Sequence, residues 1–318
     1  MASSLKHKYW IICTLLSVSL VFVGALLPAL GAPLMFLYAV PTLILSRESG
    51  LLRGLTSAFV AALILFLGGN LAIAVLSLVS FSIQGALLGA VARDKRTGAE
   101  LVLIGVSISL LCKITTVLLF YGMTGANPLS PGAEEIEKAV VAMWQSHLSG
   151  LSAGEAQLFV ERLRSSVDSF VQLVPSILIM FSCVEVLAGY YISSRFHKKI
   201  HGEGYFSLPE FGEWNFPKST IIAVFVSFLC ELVSLRQPDA VFVGQIAANL
   251  GAVTRTLLVI QGLAVAYGIM TQRGFSRASR IILVVLAIIF DFFRSIFFIV
   301  GFIDIGYDLR KRLGGNDK

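Results

Sequence analysis

Long uninterrupted apolar runs constrain this chain more than any other feature. Residues 9–27, 101–121 and 174–194 are almost entirely apolar. A helix needs about 20 such residues to cross a hydrocarbon core of roughly 30 Å, and helices or closed barrels are the only structures that satisfy a backbone inside lipid. The rest of the composition agrees. Apolar residues make up 56% of the chain and charged residues 14%, where a soluble domain carries about 25% charge. The sequence therefore predicts an all-α fold, a polytopic transmembrane helical bundle whose first partner is the lipid bilayer.

The formal net charge of +6 has a membrane explanation, because loops on the cytoplasmic side collect Lys and Arg. No basic tract is interleaved with aromatic residues, so nucleic acid is not an expected partner. Cys13, Cys112, Cys183 and Cys230 all lie in apolar blocks and form no C-x-x-C pair; they read as small buried hydrophobes. Lys6 and Lys8 precede the first block as they would in a signal peptide. The run that follows is longer than a typical signal core, and Ala29-Leu30-Gly31-Ala32 is followed by Pro33, which disfavours cleavage. The block is expected to stay as the first span.

Helices are expected near 9–27, 33–46, 52–69, 71–92, 100–121, 170–194, 219–235, 241–270 and 281–303. The second is short and holds Pro33 and Pro41, a pattern for a broken or re-entrant element. With the N-terminus cytoplasmic, the clusters Arg93/Lys95/Arg96, Arg195/Lys198/Lys199 and Arg273/Arg277/Arg280 fall inside, and Lys138, Arg162, Arg164 and Arg236 fall outside. That asymmetry sets the orientation in a bacterial cytoplasmic membrane. Nine full crossings would leave the basic tail Asp308-Leu309-Arg310-Lys311-Arg312 outside. Eight crossings return it to the cytoplasm, with 33–46 as the first segment expected not to cross and 281–303 as the second.

Residues 122–169 form the one large external segment, predicted as a helical hairpin. Ser130-Pro131 opens its first helix, and Ile136, Val140, Met143 and Leu148 give it an apolar side. Ser152-x-x-Glu155 is a capping box for the second helix, which carries Phe159, Leu163, Val167 and Phe170 on one face. Such a hairpin can rest on the bilayer or cover an outward-facing pocket. The cytoplasmic loop 195–218 begins with basic residues suited to anionic headgroups. Within it His197 and His201 lie one helical turn apart and could face one metal. Glu203 is the one nearby third ligand and the basic neighbours oppose a cation, so no metal site is expected.

Six ionisable residues sit inside apolar blocks: Lys113, Glu185, Glu231, Arg255, Asp291 and Arg294. Each costs about 2.5–3.5 kcal/mol in a bilayer if basic or Asp, so each should face the bundle interior and pair. Counting helix rise, Lys113 and Glu185 lie about 20 and 14 Å from the inner ends of their spans, and Glu231 and Arg255 about 18 and 22 Å. Asp291 and Arg294 can meet along one helix. Gln245 and Asn249 share a face with Thr256. Two meanings fit these residues: structural ion pairs, or a polar cavity for a small molecule or proton. Ser57-x-x-x-Ala61, Ala58-x-x-x-Ala62, Gly85-x-x-x-Gly89 and Ala86-x-x-x-Ala90 mark Ala58, Ala62, Gly85 and Gly89 as helix-docking positions, toward this chain's own helices or toward a membrane partner. The P-loop, H-E-x-x-H, G-x-S-x-G and acidic metal-cluster signatures are absent. Neither an enzyme nor a cofactor is expected.

Several short motifs resemble the bacterial YybS-like membrane proteins. They are Pro33-Leu34-Met35-Phe36, Arg47-Glu48-Ser49-Gly50, Gly85-Ala-Leu-Leu-Gly89, Asn249, Gln261-Gly262-Leu263-Ala264, Gly301-Phe-Ile-Asp304 and Asp308-Leu309-Arg310. The N-terminal part of that family is similar to the substrate-binding S components of energy-coupling factor transporters. The resemblance implies a single membrane domain with an S-component-like core over 1–194, which contains the hairpin 122–169, followed by the loop 195–218 and C-terminal helices with a basic tail over 219–318. It also implies a small solute as ligand, a membrane coupling subunit, and separate ATPases that supply energy. The alternative is a non-transport scaffold in envelope or cell-division processes.

Overall fold

The computed structural model describes residues 3–68, 71–94, 96–125, 153–237 and 239–310. Among the described residues every regular element is helical. The helices are α1 (Ser3–Leu26), α2 (Pro28–Met35), α3 (Val40–Ser49), α4 (Leu51–Leu67), α5 (Leu71–Leu76), α6 (Gln84–Val91), α7 (Gly98–Thr124), α8 (Ala153–Gln172), α9 (Val174–His201), α10 (Ser219–Arg236), α11 (Val241–Gln272), α12 (Arg277–Ile289) and α13 (Asp291–Tyr307). A π-helical stretch, Ser77–Ile83, makes one continuous rod of α5 and α6. Among the described residues six helical stretches are long and apolar enough to cross a membrane, and Leu51–Leu67 is a shorter apolar helix. The first helix of the expected hairpin, with Ser130 through Gly150, lies outside the described residues. Its second helix is α8, which covers Val167 and leaves Phe170 exposed.

The chain divides into two compact units. One comprises Met1–Val171 and Ile177–Leu208, the other Gln172–Ser176 and Pro209–Lys318. In the first unit α1 packs on α4, with Val18, Ala61, Leu65 and Ala74 as a shared core and Thr14 bonded to Ser57 at 2.7 Å. A second core gathers Leu43, Leu88, Leu101, Val186 and Tyr190. Ala58 and Ala62 are buried, at 0% and 8% exposure. A methyl on Gly85 would lie 2.2 Å from the Ala39 carbonyl oxygen, and one on Gly89 would lie 2.3 Å from that of Leu43. At Gly85 and Gly89 the helices of this unit therefore approach closely.

The expected helix 33–46 is broken into α2 and α3 by a turn at residues 36–39. Its central turn and its C-terminal end meet different neighbours. The Tyr38 ring reaches Gly24 near the C-terminal end of α1, and Glu48 reaches His197 and His201 in the last turns of α9. Gly50, at φ 104°, then turns the chain into α4, a conformation that suits glycine because it carries no Cβ. α7 starts on a complete capping box, in which Thr97 accepts from the Glu100 N–H at 3.2 Å and its own N–H donates to Glu100 at 2.8 Å.

In the second unit the expected helix 281–303 is also two helices. A single extended residue, Phe290 (φ −106°, ψ 122°), separates α12 from α13. At 13 and 17 residues they measure about 20 and 26 Å, and neither alone spans a 30 Å core. Arg280 near the start of α12 donates to Thr271 at 2.6 Å, and Arg310 just after α13 donates to the Gly212 carbonyl at 2.7 Å. Gly212 itself touches Gly268 in the last turns of α11. Both ends of the broken pair therefore lie at the same end of α11.

α13 seats on α11 through two reciprocal glycines. A methyl on Gly262 would lie 1.9 Å from the Phe297 carbonyl oxygen, and one on Gly301 would lie 2.0 Å from that of Leu258. Gly262→Ala forces backbone apart and should lower stability by about 1–3 kcal/mol. Gly306, where an added methyl would meet nothing within 4 Å, should accept Ala with no loss. Melting of the two detergent-purified variants checks the contrast; equal melting would mean that the two helices can separate freely.

Candidate functional site

Four polar clusters gather the chemistry of this chain, two in each unit. In the first unit Lys113 Nζ lies 2.5 Å from Glu185 and 2.6 Å from Ser109, and reaches Gln84 at 3.5 Å. Ser109 donates to the same carboxylate oxygen at 3.1 Å, and the ammonium stands 5.3 Å from the centre of the Phe181 ring. The side chains are 8% and 1% exposed. Glu185 Oε1, Gln84 Nε2 and Ser182 Oγ are buried without a hydrogen-bond partner. The pair is closed off and neutral as a unit, and holds α7 to α9.

The second pair expected from depth is built differently. Glu231 on α10 and Arg255 on α11 line one cavity of about 660 Å³, with Ser227, Ser234 and Thr254 among its polar walls. Their side chains make no ion pair within 4 Å, and both residues are exposed. Gly244 and Gly251 bring the two helices close, with Ser234 and Ser227 against them. Asn249 does not join the cavity wall. It accepts from the Ser176 N–H and hydroxyl at 2.9 and 2.6 Å and donates to the Gln172 and Gln245 carbonyls at 2.7 and 2.8 Å. Three of these four bonds tie the amide to the joint between α8 and α9, and the fourth returns to its own helix. The Gln245 side chain is exposed and also lies off the cavity. The Asp291 side chain lies outside the described residues, and Arg294 is exposed on α13.

Two further clusters bring together residues that the sequence does not connect. Gln261, fully buried, accepts from the Phe216 N–H at 2.9 Å and donates to Asn215 and Asp304 at 3.1 and 2.6 Å. Asp304 also takes the Leu309 N–H at 2.8 Å and Arg310 at 3.3 Å; Arg310 in turn donates to Gly212 and Trp214. This knot ties the loop before α10 to α11 and to the end of α13. It draws together the motifs 261–264, 301–304 and 308–310, whose adjacency in space no spacing along the chain announces.

The last cluster joins α3 to the end of α9. Glu48 bonds His197 Nδ1 at 2.6 Å through one oxygen and His201 Nε2 at 2.8 Å through the other. The Tyr205 ring stands edge-on to His197, and the Arg47 guanidinium lies 4.7 Å from the centre of that ring. Burial pushes the Tyr205 phenol up to about 12, against the opposing effects of its Ser193 hydrogen bond and the Arg47 charge. It stays a neutral hydroxyl at physiological pH.

Comparison with known proteins places this geometry in a wider group. The profile of a family described as predicted membrane protein (DUF2232) matches residues 15–305. The chain is 19% identical over 290 residues to the uncharacterized protein YybS of Bacillus subtilis (strain 168), covering 90% of this chain and 91% of that protein. No solved structure matches.

Proposed function

We propose that this chain, which belongs to the DUF2232 family of predicted membrane proteins, binds a small charged solute between α10 and α11 as a non-enzymatic transport component of the bacterial cytoplasmic membrane. The observation that carries the reading is the unpaired opposition of Glu231 and Arg255 across one cavity. Charges at such depth must face one another, water or a ligand. These two make no ion pair, and both line a cavity of about 660 Å³, a volume within the range of small-molecule sites. A solute with an anionic and a cationic end would satisfy both walls at once. The Lys113–Glu185 pair has no comparable space and serves as a structural tie in this reading. The S-component-like core, the coupling subunit and the separate ATPases belong to the same proposal: the chain has no nucleotide-hydrolysing motif, so any energy would come from a partner.

The proposed topology has eight crossings. The broken segment 28–49 is one of them, because its central Tyr38 reaches the C-terminal end of α1 and its Glu48 the last turns of α9, while α12 and α13 enter and leave on one side. The C-terminus then shares the cytoplasm with the N-terminus. In a cysteine-free background, single cysteines at Ser130 and Ser152 should react with an impermeant thiol reagent in intact cells, and cysteines at Ser207, Ser276 and Asn316 should not. Labelling at Asn316 but not at Ser276 would make α12–α13 a full crossing.

The function is tested by purification in mild detergent followed by mass spectrometry of whatever accompanies the protein. A small charged molecule at near-stoichiometric level is the expected result. Recovery of a protein partner with no small molecule would favour the scaffold reading, and recovery of neither would overturn solute binding.

A further inference from the structure

We infer that Glu48, His197 and His201 form a binding site for a divalent transition metal of the zinc class. The sequence places the two histidines on one helical face, and the fold supplies the third ligand from 149 residues away. His197 offers Nδ1, His201 offers Nε2, and Glu48 offers its carboxylate; these atoms all lie within 4.8 Å of one another. Zinc takes His nitrogen and carboxylate oxygen at about 2.0–2.2 Å, so tetrahedral ligand atoms stand roughly 3.3 Å apart. The present nitrogen–oxygen distances of 2.6 and 2.8 Å need only open by about half an ångström to admit the ion.

The surroundings suit a site that is held on one side and open on the other. The side chains of Glu48 and His197 are 7% and 13% exposed, and that of His201 is 41% exposed. The imidazole rings are tilted 36° to one another, with centroids 4.3 Å apart, and Tyr205 packs against the His197 ring in an edge contact. The exposed rim beside His201 gives an ion a way in and leaves the fourth position to water, the pattern of a three-ligand zinc site. Nearby positive charge opposes the ion but does not fill the site. Arg47 is engaged over Tyr205, and Lys198 and Lys199 are exposed, where salt screens them. Two neutral imidazoles and one carboxylate would match the borderline ions at the zinc end of the divalent series. Binding would pin α3, the second half of a broken helix, to α9.

The test uses the full chain in mild detergent, purified without a polyhistidine tag and stripped with a chelator. Zinc chloride is titrated against a chromophoric competitor, and melting is followed with and without zinc. Wild type should take one equivalent per chain and melt higher when loaded. His201→Asn, a rim substitution, should keep the metal-free melting temperature and lose both effects, with affinity falling about 10-fold or more. Cobalt should give the visible bands of a four-coordinate site in wild type and not in the variant. Should His201→Asn misfold, Glu48→Gln provides the same comparison from the other helix. Equal zinc uptake by wild type and a folded His197→Asn/His201→Asn protein would overturn the site and leave the cluster a hydrogen-bonded clamp; so would the absence of any zinc-induced rise in melting.

Discussion

Glu185→Gln and Lys113→Met, made singly, should each remove most of the folded protein from the membrane. Either change strands a charge that is closed off from water and bonded to its partner at 2.5 Å, and breaking a buried pair typically costs about 3–5 kcal/mol. Whole domains are stable by only about 5–15 kcal/mol, so a loss of this size consumes a large share. The double variant Lys113→Met/Glu185→Met removes both charges and fills similar volume, an exchange that is often neutral or stabilising. It should return folded protein to near the parental level. The swap Lys113→Glu/Glu185→Lys should recover part of it, because Ser109 and Gln84 can turn to serve the exchanged groups. Detergent-extracted yield and melting measure all four. If the double apolar variant stays as poor as the singles, the cluster does more than tie α7 to α9.

Arg255→Met should behave in the opposite way, keeping yield and melting near normal while the co-purifying solute disappears. Arg255 faces a cavity and makes no ion pair with Glu231, so no closed pair is broken. A hydrogen bond to a charged group contributes about 1.5–3 kcal/mol, so retention should drop roughly ten- to a hundredfold. Arg255→Lys should restore little of it, since an ammonium cannot reproduce the guanidinium fork. Collapse of the Arg255→Met protein, with rescue by Glu231→Gln, would instead make the two residues a structural pair.

Much of the fold was readable from the chain because lipid imposes a simple rule on length and polarity. Lys113 and Glu185 could be matched by counting helix rise alone. Other features escaped for identifiable reasons. Phe290 breaks a helix without proline or glycine, so no local signal marks it. Glu48 pairs with histidines 149 and 153 residues distant, and distance of that kind has no periodicity. Gln261 is uncharged, so a search for ionisable residues in spans passes over it, yet it organises the whole C-terminal knot. Asn249 illustrates the converse. It shares a polar face of α11 with Gln245, but three of its four hydrogen bonds hold the joint before α9 and the fourth returns to its own helix.

The knot also imposes an order on how this protein is made. A ribosome delivers α11 to the membrane with Gln261 already in it, and Asn215 and Phe216 are available at that moment. The carboxylate of Asp304 emerges 43 residues later, followed by Arg310. Until then the helix sits in lipid with part of its amide uncompensated and Gly262 facing no neighbour. α13 is thus the helix that closes the seam, and a chain interrupted before Asp304 is left with that seam open.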